Sequence, residues 1–131
     1  MKYDEFIGHV QQRARLASRG EAERATAATL TTLGERLAGG APLDLGSQLP
    51  RELQDHLVVG LGEREAFSLD EFFSRVSERE GTPLPDAVHH ARAVVSVLME
   101  AVSRGEVRDV LDQLPADWRP LFQGSEGMRA A

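Results

Sequence analysis

The sequence predicts an all-α protein made of two tandem copies of one helical unit. Three observations carry that reading: apolar residues recur at spacings of three and four, helix start and stop residues bracket those runs, and the second half of the chain repeats the first. Residues 3–14, YDEFIGHVQQRA, align with 69–80, LDEFFSRVSERE, and five of the twelve positions agree. Residues 40–50, GAPLDLGSQLP, align with 105–115, GEVRDVLDQLP, and five of these eleven agree, including the whole Gln-Leu-Pro run. Unrelated segments agree at roughly one position in fifteen to twenty, so two such blocks in the same order indicate duplication.

Taken in order, the first helix carries the stripe Phe6, Ile7, Val10 and Ala14, with Asp4 and Glu5 in the turn where carboxylates suit the positive end of the dipole. The long helix that follows opens at Ser18-x-x-Glu21, a capping-box pattern, and lays down Ala22, Thr26, Thr29, Leu30, Leu33 and Leu37. A left-handed C-terminal cap is expected at Gly39-Gly40, and at Gly105 in the second copy. A short helical segment then ends at Gln48-Leu49-Pro50, because the residue before proline is pushed out of the helical region. Gly46, aligned with Leu111, weakens that segment in the first copy. A last short helix carries Leu53 and Leu57, and the glycine- and charge-containing stretch 58–66 reads as the joint between copies.

The second copy begins at Ser68-x-x-Glu71, with Phe67 and Phe72 at the positions of a hydrophobic staple. Phe72, Phe73 and Val76 form its first stripe, and Ala87, Ala91, Val94, Val95, Leu98 and Val102 its long one, started by Pro85-Asp86. Gln113-Leu114-Pro115 closes the short helix, and Trp118 and Phe122 occupy the last, which Pro120 should shorten or kink. The organisation is thus repeat 1 (3–57), a linker (58–66), repeat 2 (67–122) and a flexible tail (123–131). A copy of about sixty residues buries only a marginal core alone. The two are therefore expected to form one bundle about an approximate two-fold axis.

Composition restricts the function classes. The net charge is −6, with both halves acidic, which disfavours nucleic acid as a partner because phosphate binding draws on a basic face. No run approaches the roughly 18 apolar residues of a membrane span, and residues 1–15 lack the continuous apolar core of a secretory signal. On that ground the expected setting is cytoplasmic, and the absence of cysteine rules out a disulfide frame or a thiol nucleophile.

No catalytic constellation emerges. His9, His56, His89 and His90 lack the i, i+4 spacing that would put two nitrogens on one metal, so neither a metal nor another cofactor is expected. Asp4-Glu5 and Asp70-Glu71 have a simpler use in helix first turns than as acid–base pairs. Asp44 with Gln48, and Asp109 with Gln113, lie four apart and suit pairing on a helix face or bonding to nearby backbone. Arg13, Arg15, Arg19 and Arg24, interrupted by Glu21 and Glu23, read as a face laced with ion pairs.

Taken together, Asp4-Glu5-Phe6, the long alanine-rich helix, Asp44, Gln48-Leu49-Pro50 and their second-copy partners resemble the bacterial family called domain of unknown function 2267, over roughly residues 3–122. The resemblance implies an all-helical fold and brings no activity or functional residues. The residues themselves favour a non-catalytic interaction or regulatory module, able to dimerise or to take a protein partner in the groove that duplicated helical units offer. The alternative is a binder of small apolar ligands at the seam between repeats, with Phe6, Phe72, Phe73 and Trp118 as pocket or core residues.

Overall fold

A computed structural model describes residues 1–37, 40–59 and 65–123. The described residues contain eight α-helices and one 3₁₀ turn. They run as α1 (Tyr3–Ala14), α2 (Arg19–Arg36), α3 (Ala41–Gly46), α4 (Arg51–Val59), α5 (Leu69–Glu80), α6 (Leu84–Ala101), α7 (Arg104–Asp112), the 3₁₀ turn Ala116–Trp118 and α8 (Arg119–Phe122).

The two long helices, α2 and α6, pack on each other at the centre, and α1 and α5 each lie against both of them. Every residue of the predicted long stripes is buried except Val102, which is partly so; Leu33 is 0% exposed and Leu98 3%. One contiguous apolar cluster takes residues from α1, α2, α4, α5, α6 and the closing segment, because no single amphipathic helix can hide its stripe without a neighbour.

Two ion-pair clusters bind the first helices across to the long ones. Arg13 of α1 forks onto Glu100 of α6, with Nη1 to Oε2 at 2.5 Å and Nη2 to Oε1 at 2.8 Å, and Nη1 also donates to Ser96 Oγ at 3.2 Å. Arg79 of α5 forks onto Glu35 of α2 at 2.7 Å on each arm and donates to Thr32 Oγ1 at 2.8 Å. Planar bidentate pairing of this kind fixes orientation as well as adding attraction.

The caps follow the sequence in part. Ser18 and Ser68 accept from the backbone N–H of Glu21 and Glu71, each at 3.1 Å. Neither box closes reciprocally: Glu21 instead accepts from Ala17 N–H, and Glu71 is drawn to Arg75. The glycine caps expected after the long helices are not found at Gly40 and Gly105. Leu37 and Val102 end α2 and α6 in extended conformation, Gly40 has φ −83° and Gly105 lies inside α7. At the second of these corners the chain turns straight into a helix capped by Ser103, so no left-handed residue is needed. The left-handed caps stand one helix earlier, at Arg15 (φ 55°) after α1 and Gly81 (φ 73°) after α5.

The joint read at 58–66 is shorter than expected at its start, since α4 continues to Val59; residues 60–64 and 124–131 lie outside the described residues, and with them most of the expected tail. Gly39 does too. As Pro120 requires, the last segment of the chain is broken into a 3₁₀ turn and the one-turn α8, with proline in its first turn.

Candidate functional site

The two ends of the bundle differ, and two glycines account for the difference. In the first half α4 lies directly against α2 and α3. A Cβ on Gly34 of α2 would stand 2.1 Å from the carbonyl oxygen of Leu57, and one on Gly46 of α3 2.9 Å from Cγ of Gln54. Only glycine permits that approach. In the second half the aligned residues are Met99 and Leu111. Both line a groove of about 670 Å³ that opens between α7 and the broken closing segment.

Met99, Leu114, Trp118 and Phe122 supply apolar walls to this groove, joined by Val107 and Leu111 from α7. Trp118 is held rigidly: it is 1% exposed, its ring stands 5.4 Å from Phe72 and 6.3 Å from Phe67, and the Arg36 guanidinium covers it at 5.0 Å. Leu111 is 37% exposed at the rim. Arg104, Arg108 and Arg119 also line the groove, all three exposed and forming no ion pair among the described residues. Such a surface can hold an apolar ridge and a negative charge together.

On the other side of α7, against α3, lies a smaller cleft of about 330 Å³ lined by Asp44, Glu106, Asp109 and Asp112. Burial, reinforced by the charges of Asp109 and Asp44, pushes the Glu106 carboxyl above its ordinary range. Among the described residues no three His, Cys, Asp or Glu side chains converge in a way that could hold a metal ion.

The structure distributes the sequence-level candidates widely. Phe6, Phe72 and Phe73 are core residues at 0%, 0% and 9% exposure, and of the four residues assigned to the seam only Trp118 reaches the groove. Asp44 and Asp109 face one another's cleft, but their neighbours do something else: Gln48 reaches across to the start of α7, its Oε1 accepting from Ser103 N–H at 2.7 Å and its Nε2 donating to Ser103 Oγ at 3.3 Å. Asp4 pairs with Arg19, which also meets Glu23. His90 pairs through Nδ1 with the buried Glu80. The groove arginines escaped notice in the sequence, although 104, 107, 108 and 111 are spaced as one helix face and two aligned glycines are replaced by Met99 and Leu111.

Fold and site together define a small helical bundle with one open, cationic and apolar groove. The chain belongs to the family of uncharacterised conserved proteins designated DUF2267, whose sequence profile matches residues 3–121. None of the curated proteins matches it significantly. Among the described residues no helix is long and apolar enough to cross a membrane.

Proposed function

We propose that this protein is a non-catalytic interaction module whose groove between α7 and the closing segment receives a helix of another protein. The observation that carries the reading is the combination of an apolar wall backed by Trp118, an exposed Leu111 and three arginines with no ion pair among the described residues, around one opening. Aromatic anchors backed by a packed core, with charges at the rim, are the usual anatomy of a docking surface. Several carboxylates are engaged structurally: Asp4, Glu35, Glu71 and Glu100 in ion pairs and Glu5 and Glu21 at helix starts. The seam alternative draws no support from Phe6 and Phe72, which are closed in by the core. A cytoplasmic setting remains the reading from composition.

The two halves are, on this proposal, copies packed about an approximate two-fold axis. Support comes from the matched pairs Arg13–Glu100 and Arg79–Glu35, whose residues correspond in the sequence alignment, and from the matched left-handed caps at residues 15 and 81. A photo-crosslinking residue at position 111, compared with one at the exposed position 24, tests the module in native lysate. Discrete adducts are expected from position 111 alone; equal adducts from both positions, or none from 111, would sink the reading.

A further inference from the structure

We infer that the groove's partner is an acidic amphipathic helix, one that sets a leucine-like ridge against Met99, Val107 and Leu111, over the buried Trp118, and flanks it with Asp or Glu. The inference rests on the docking role proposed above and adds the chemistry of the occupant. Three arginines against the single carboxylate of Asp112 give the groove a local charge of +2 on a chain of net charge −6. An isolated positive opening in a negative surface selects anionic partners and rejects cationic ones.

A helix fits better than the other anionic surfaces. The side chains that α7 turns to the opening, Arg104, Val107, Arg108 and Leu111, follow helical spacing, and nine residues of α7 give the groove a wall of about 13 Å, roughly two and a half turns of a docked helix. A planar anionic membrane matches poorly, because the apolar wall at Trp118 is recessed and Asp109 and Glu106 lie on the same helix beyond the groove's edge.

The test uses the full chain and two synthetic 16-residue helical peptides with leucines at i, i+3, i+4 and i+7, one flanked by glutamate and one by lysine. Trp118 is the only tryptophan, so its fluorescence reports binding at the groove directly. The glutamate peptide is expected to bind at least tenfold tighter than the lysine peptide. Raising salt from 50 to 300 mM should weaken it several-fold. Arg104→Glu with Arg108→Glu should cost at least tenfold in affinity, and the exposed control Arg24→Glu should change nothing. Melting curves of each variant verify that it is folded. If both peptides bind equally and Leu111→Asp abolishes both, the groove is a docking site but its acidic preference is overturned. If neither peptide binds, or if phosphatidylglycerol vesicles bind and the glutamate peptide does not displace them, the acidic helix is overturned as the occupant.

Discussion

The first helix and long helix of each half are built on the same plan, yet the halves solve three equivalent positions differently. The first and long helices of the first half carry buried Ala14 and Ala25, whereas the aligned residues of the second half are Glu80, buried, and His90, half-buried, which pair with each other. At the contact with the last helix, Gly34 lets α4 touch α2, whereas its aligned residue Met99 lines the groove. At the end of the first helix, Arg15 takes a left-handed conformation that Gly81 takes without strain. On the proposed duplication, the helical frame is shared while the contacts between helices differ, and the groove lies in the half without the close packing at Gly34.

The largest effect that would break this comparison is at Gly34. Gly34→Ala forces a methyl against the Leu57 backbone, which cannot yield as a side chain would, and should cost about 3 kcal/mol in denaturant unfolding. A cost below about 1 kcal/mol would show that the close approach of α4 is not what separates the halves.

Next comes the Glu80–His90 pair. His90→Ala leaves the Glu80 carboxylate, 3% exposed, without its partner, and should cost about 2 to 3 kcal/mol. Adding Glu80→Ala recreates the alanine solution of the first half and should recover about 1 kcal/mol or more. Simple additivity of the two substitutions in a double-mutant cycle would mean that the pair is not coupled.

A smaller difference separates the two cross-links. Bonds from Arg79 and the nearby charge of Arg75 hold the Glu35 carboxyl below its ordinary range, against the opposing effect of burial. Its stabilisation is therefore present above about pH 4.5, the unfolded value, and is lost as pH falls through the lower folded value. Glu35→Gln should cost about 1 kcal/mol at pH 7, with the variant and the parent converging in acid. The Glu100 side chain is 50% exposed against 17% for Glu35, so Glu100→Gln should cost about 0.5 kcal/mol or less. Equal costs at pH 7 would remove the distinction.

The smallest effect sharpens the cap comparison. Arg15→Gly should raise stability by about 0.5 to 1 kcal/mol, since relief of left-handed strain slightly exceeds the added freedom of glycine in the unfolded chain. A lowered denaturation midpoint would indicate that the Arg15 side chain contributes more than its backbone strain costs.

Helix positions, serine caps and the proline stops were legible because each rests on neighbours within four residues. Ser18, Ser68, Pro115 and the stripes through Leu33 and Leu98 all belong to that class. The cap read at Gly105 was misplaced because a glycine near a helix end signals a left-handed turn only when the chain must turn there, and at Val102 it runs straight into a helix capped by Ser103. The sequence by itself determined an all-helical chain and which faces would be buried. Tertiary structure alone decided that Arg13 meets Glu100 at a separation of 87 residues, that Gln48 caps a helix 55 residues away, and that the groove opens beside Met99 and not beside Gly34. Those outcomes depend on how closely two helices can approach, and that distance is set by pairs of side chains far apart in the chain, which no local pattern encodes.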